Sequence, residues 1–234
     1  MIDKKRSIAT NSQVDAFLSK IADSPLPVAS GEKGRLVFAM DATASREPTW
    51  DKACQIQGQM FESTDSLGGI EIQLAYYRGF RELHASPWLH NSIQLLEVMC
   101  RVRCLGGATQ IGRILDHTLR ESSQRKVNAL IFVGDCMEEN VDTLCKKAGE
   151  LGLIGVPVFI FQEGNASDAA RAFTQIASLS GGAHCQFDAT SADQLRKLLG
   201  AVAAYAAGGL KALEDLGPEG TQLIKLLSSK AGTK

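Results

Sequence analysis

Arg35-Leu36-Val37-Phe38-Ala39-Met40 is apolar from Leu36 onward and stops at Asp41-Ala42-Thr43-Ala44-Ser45. A strand that is apolar at every position has both faces covered, which places it in the middle of a mostly parallel sheet. Val127 to Val133 reads the same way and ends in Gly134-Asp135, and Val156 to Phe161 is a further strand. Gly69 to Tyr77 alternates at its start and reads as another strand. After it, Arg78-Gly79 forms a tight turn and Phe80 to His84 a short strand running back, which makes a hairpin. A short strand at Ala183 to Phe187 follows later.

Between these strands lie helical stretches. They run from Pro48 to Ser66, with Pro48 suited to a first turn, and from His90 to Cys100, Gln110 to Ser122, Val141 to Leu151, Ser167 to Leu179 and Ser191 to Ala204. Strands alternating with helices predict an α/β fold with a parallel sheet.

The flanks are shorter. Residues 1–34 hold a helix over Ser12 to Ala22, with Val14, Phe17, Leu18 and Ile21 on one stripe, and then a linker. The stripe suits docking on the main domain or on a partner. Residues 35–204 make up the α/β domain, and residues 205–234 a helical tail.

Composition narrows the function classes. Of 234 residues, 44% are hydrophobic and 22% charged, which excludes a wholly disordered chain. Lys plus Arg is 25 against 26 for Asp plus Glu, so the net charge of -1 gives no global field to recruit nucleic acid or an anionic membrane. No run reaches the roughly 18 apolar residues of a membrane span. The basic start, Met1 to Ser7, lacks the apolar second part of a signal peptide. The 6 cysteines are scattered without a C-x-x-C, so they suggest neither structural zinc nor a disulfide framework. The expected compartment is a reducing cytoplasm.

Ligands of an open α/β sheet bind beyond the strand ends where strand order reverses. Three strand-to-helix loops would bring Asp41, Thr43, Ser45, Thr109 and Asp135 to one crevice. Two carboxylates and three hydroxyls form an oxygen-only set, which selects a hard cation such as Mg²⁺, Mn²⁺ or Ca²⁺ over Zn²⁺. Neutral hydroxyls leave such an ion electrophilic, with a position open to water or to an incoming carboxylate.

D-x-T-x-S after a buried strand, then Gly106-Gly107-Ala108-Thr109, then Gly134-Asp135 after another buried strand, resembles the von Willebrand factor A (VWA) domain with its metal-ion-dependent adhesion site. The likeness covers roughly residues 35–204 and points to an intracellular bacterial type. It implies a Rossmann-like three-layer sandwich, mostly parallel with one short antiparallel edge strand. By the resemblance, Thr43 and Ser45 bind the metal directly, Thr109 directly or through water, and Asp41 and Asp135 mostly through bridging waters. Thr43 stands where the family most often has serine; it keeps the hydroxyl and adds a methyl. The implied function is non-enzymatic: a Mg²⁺-dependent interaction module that binds an Asp or Glu of a partner protein, with no nucleic acid and no membrane.

Other readings of the same residues differ in class. Asp41 and Ser45 could simply cap the next helix, and Thr109 another. Asp41 could be the nucleophile of a metal-assisted phosphohydrolase, although the second Asp of that pattern is replaced by Thr43. A metal-independent scaffold could bind through the N-terminal helix. Cys136 reads as a half-buried structural cysteine, and Glu138-Glu139 as a solvated helix start. Trp88, Tyr76 and Tyr77 read as packing residues.

Overall fold

In the computed structural model every residue of β1 (Arg35–Asp41) is buried. The structure describes residues 16–17, 19–20, 33–49, 70–187, 200–202 and 205–206. Leu36, Phe38 and Met40 enter one hydrophobic core while Val37 and Ala39 enter another, so the continuous apolar run serves both faces of one strand.

β1 lies inside a six-stranded sheet of order β3-β2-β1-β4-β5-β6. β2 (Glu71–Arg78) and β4 (Ala129–Gly134) flank it in parallel register, with Asp41 opposite Tyr77 and Met40 opposite Val133. β5 (Val158–Glu163) and β6 (His184–Phe187) continue the sheet in parallel. β3 (Glu82–Ala85) pairs antiparallel with β2 at the edge. This is the expected mostly parallel sheet with a single antiparallel edge strand. The hairpin strand starts later than predicted, because the turn extends through Phe80 and Arg81. Gly79 and Arg81 both take left-handed backbone, at φ 56° and 59°.

The helices are α1 (Ser92–Met99), α2 (Ile111–Gln124), α3 (Val141–Leu153) and α4 (Ser167–Ser180). Ile111, Ile114 and Leu115 of α2, Leu144, Ala148 and Leu151 of α3, and Phe173 and Ile176 of α4 cover one face of the sheet. Leu95 and Met99 of α1, with Phe17, Ala201, Val202 and Tyr205, cover the other. Helix, sheet and helix thus form the predicted three layers. Phe17 is 2% exposed, and its ring lies 5.9 Å from that of Phe159 and 5.1 Å from that of Phe161. This residue of the N-terminal stripe therefore docks on its own sheet.

The chain does not wait for Pro48 to coil. Ala44–Thr49 is a 3₁₀ turn that follows Thr43 directly. From residue 50, the helix predicted for Pro48 to Ser66 lies outside the described residues, as do the C-terminal tail beyond residue 206 and most of both flanking helices. Trp88 packs as expected: its ring lies 3.6 Å from the Arg35 guanidinium, and its indole N–H donates to Glu121.

Candidate metal centre

In this strand order the connections run outward from β1 in one direction and from β4 in the other, so the switch point lies between those two strands. β1 ends at Asp41 and β4 at Gly134, immediately before Asp135. A Cβ on Gly134 would sit 2.7 Å from the Phe132 ring and 3.5 Å from Asp41 Cβ, so glycine leaves the room that Phe132 occupies.

Asp41 is fully buried. Its Oδ1 accepts the Thr43 amide at 2.8 Å, a side-chain turn that reverses the chain after the strand. Its Oδ2 accepts the Tyr77 hydroxyl at 2.8 Å. Burial raises the Asp41 pKa; the bonds from Thr43 and Tyr77 oppose that rise, and the nearby Asp135 charge adds to it. Tyr77 is pushed well above its ordinary value, by burial first and then by the Asp41 charge, so it remains a donor.

Thr43 is 4% exposed while Ser45 reaches solvent, and their hydroxyl oxygens lie 3.1 Å apart. Neighbouring oxygens in an octahedral Mg²⁺ shell are separated by about 2.9 Å, so this pair fits one hard cation. Asp135 Oδ1 is buried and accepts no hydrogen bond. Carboxylate oxygens of Asp41 and Asp135 and the Cys136 Sγ all lie within 4.8 Å of one another. A buried, unpaired carboxylate oxygen beside a second carboxylate is costly unless a cation compensates it. The donor set therefore fits a divalent ion.

Thr109 is placed by the neighbouring loop. Its amide donates to Glu138 Oε2 at 3.0 Å, and its Oγ1 accepts the Glu138 amide at 3.0 Å. The preceding glycine loop is tied at both ends. The Leu105 amide donates to the Ala42 carbonyl at 3.0 Å, and Gln110 Nε2 to the Gly79 carbonyl at 3.2 Å. The structure thus brings Asp41 and Asp135 together, pairs Thr43 with Ser45, and joins Thr109 to the loop that carries Asp135.

Some of these connections differ from what residue types suggest. Thr109 does not cap α2, whose N-cap is Gln110 with no side-chain capping bond. Glu139 satisfies that helix start instead, accepting the Ile111 amide at 2.5 Å and the Gly112 amide at 2.9 Å. Glu139 thus serves α2 rather than a solvated start of its own helix, while Glu138 stays exposed and α3 is capped by Asn140. The available signal was a helix beginning without a capping side chain, set against a pair of acids in another loop. Tyr77 packs in the core as expected, yet its hydroxyl also holds Asp41, which strand alternation alone did not reveal. Arg46, fully buried, reaches Glu163 at the end of β5 with 3.1 Å between charged atoms. No sequence spacing links that pair.

Cys136 is not an activated nucleophile. Burial, followed by the Asp135 and Asp41 charges, pushes its thiol up to about 12. The rings of His84, His117 and His184 bond Glu82, Gln73 and Gln162.

No protein-family model matches the chain, and no curated protein matches it in sequence. Solved structures do resemble it. The VWA domain of SpRpn10 is 10% identical, with a TM-score of 0.56, covering 67% of this chain and 88% of that one. An aerotolerance-related membrane protein from Bacteroides fragilis is 13% identical, with a TM-score of 0.53, covering 69% of this chain and 95% of that one. Proximal thread matrix protein 1 from the mussel byssus, with a zinc-occupied metal-ion-dependent adhesion site, is 15% identical with a TM-score of 0.55. That match covers 75% of this chain and 47% of the mussel chain. The sheet order, the antiparallel edge strand and these likenesses agree: the chain has the fold of a von Willebrand factor A domain.

Proposed function

We propose that this chain is a divalent-cation-dependent protein-interaction domain, spanning residues 35–204, with Asp41, Thr43, Ser45, Thr109 and Asp135 around the cation. The observation that carries this reading is the buried Asp135 Oδ1, which accepts no hydrogen bond and lies beside Asp41 at the switch point of the sheet. The paired hydroxyls of Thr43 and Ser45 support it, as does the adhesion site of the mussel neighbour. A bound Mg²⁺ would supply an electrophilic position that a partner's Asp or Glu can fill.

The residues of the chain divide the work. Tyr77 and the Thr43 amide orient Asp41, and Glu138 fixes Thr109. Leu105, whose amide is tied to the Ala42 carbonyl next to the crevice, is 48% exposed, so an apolar side chain of a partner segment can pack beside the cation.

Among the described residues nothing in the geometry favours the phosphohydrolase reading. Both Asp41 oxygens already accept hydrogen bonds, which lowers their nucleophilicity, and Thr43 stands where a second acid would be needed. Among the described residues no helix is long and apolar enough to cross a membrane.

Calorimetric titration with Mg²⁺, Mn²⁺ and Ca²⁺ tests the proposal, with Thr43→Ala as the control. Binding heat in the wild type and weakened binding in the variant are expected. No heat from any of these ions, or equal heat in Thr43→Ala, would falsify it.

A further inference from the structure

Cys136 adds a ligand type that the oxygen set lacks. It follows Asp135 directly, and its Sγ falls within the same 4.8 Å group as the carboxylate oxygens of Asp41 and Asp135. Asp41 is fully buried, and the Asp135 oxygen that accepts no hydrogen bond is buried as well. We propose that Cys136 is a metal ligand of this site, which gives it affinity for a borderline cation, zinc or cobalt, alongside the hard cations that its oxygens select.

This inference rests on the reading that the crevice binds a divalent cation. It goes beyond that reading by naming a thiolate ligand and the metal class that the thiolate selects. Hard cations take oxygen, whereas sulfur shifts preference toward zinc. Two carboxylates and one thiolate make three protein ligands, the number found where zinc keeps a fourth position open. Three anionic donors also exceed the charge of one divalent ion, which favours a metal whose bond to sulfur has covalent character. Cys136 is partly exposed, and its Sγ already lies within reach of both carboxylates. On binding, the S–H bond breaks, its electron pair forms the sulfur–metal bond, and the proton leaves to water. Nothing is oxidised or reduced.

The test uses the full chain, kept reduced and titrated with Co²⁺, with Zn²⁺ as competitor and near-ultraviolet absorbance as the readout. The wild type should show a thiolate-to-cobalt charge-transfer band that zinc displaces. The band should vanish in Cys136→Ser, and also in Asp135→Asn, which retains the thiol. Zinc affinity should fall about tenfold or more in Cys136→Ser. Circular dichroism reports folding, and Asp135→Asn decides the matter if Cys136→Ser does not fold. Absence of the band in the wild type, or its survival in either variant, overturns the proposal. Magnesium heat that depends on Thr43 without a Cys136-dependent band overturns this inference alone. Absence of both signals overturns the metal site as a whole.

Discussion

The Tyr77 hydroxyl donates to Asp41 Oδ2 at 2.8 Å, and neither residue has any exposed surface. β2 and β1 set this contact directly, because Asp41 and Tyr77 are register partners. In Tyr77→Phe the ring still packs, but one carboxylate oxygen loses its partner in a buried place. The loss should be about 1–3 kcal/mol by urea denaturation. A variant as stable as the wild type would show that water or another group replaces the hydroxyl.

Asp135 is expected to trade stability for binding. Without a cation its buried Oδ1 is unpaired, and it lies beside the buried Asp41 carboxylate. Asp135→Asn removes that charge and should raise stability in chelator by about 1 kcal/mol, or roughly 2–4 °C in Tm. Saturating Mg²⁺ should reverse the order, because only the wild type gains binding free energy from the ligand. Thermal melts of both proteins, with chelator and with Mg²⁺, give the comparison. A Tm for Asp135→Asn below that of the wild type in chelator would count against a cost from the unpaired Oδ1 oxygen.

The fold was readable where a residue's own neighbours determine its state. The apolar run from Leu36 to Met40 is too short for a buried helix and reads as a strand covered on both faces, with Asp41 at its end. Asp41 and Asp135 were likewise readable as neighbours, because strand ends converge at a switch point. What local sequence does not encode is pairing at long range. Glu139 serves a helix that begins 28 residues earlier, and Arg46 meets Glu163 across the sheet. Any acid on the β4–α3 loop could cap α2 by residue type; only the packing of that loop selects Glu139. Cys136 shows the same limit, since its chemistry depends on two carboxylates placed by different strands.

Glu139 should therefore stabilise the fold from outside its own helix. It satisfies two amides at the start of α2, where the positive end of the helix dipole also favours a carboxylate. Glu139→Ala should cost about 1–3 kcal/mol. Hydrogen exchange at Ile111 and Gly112 should accelerate more than exchange in the middle of α2. Uniform acceleration along the helix would argue against a local cap.

Acid should weaken the fold through His184. Its Nε2 and Nδ1 lie 3.0 Å from Gln162 Oε1 and Thr174 Oγ1, and burial pushes its pKa from 6.5 down to about 4. In that interval the unfolded chain binds a proton that the folded chain does not, so stability falls as pH falls from about 7 to 4. The contribution is about 2 kcal/mol after allowance for the partial exposure of the ring. His184→Gln should flatten this part of the stability–pH curve. An unchanged slope in the variant would assign the acid sensitivity to other groups.

Adjacent glycines should respond unequally to the same substitution. A Cβ on Gly107 would lie 2.1 Å from the Gly79 carbonyl oxygen and 2.6 Å from its carbon, and backbone atoms of a bonded hairpin cannot yield cheaply. A Cβ on Gly106 meets nothing within 4 Å. Gly107→Ala should lose up to about 3 kcal/mol, because the loop must move away from the hairpin. That shift carries Thr109 with it, so the cation should also bind more weakly. Gly106→Ala should stay within about 0.5 kcal/mol of the wild type and bind the cation normally. Paired denaturation and Mg²⁺ titration of the two variants measure the difference. Equal behaviour would mean that the close approach of Gly107 to Gly79 does not position the loop.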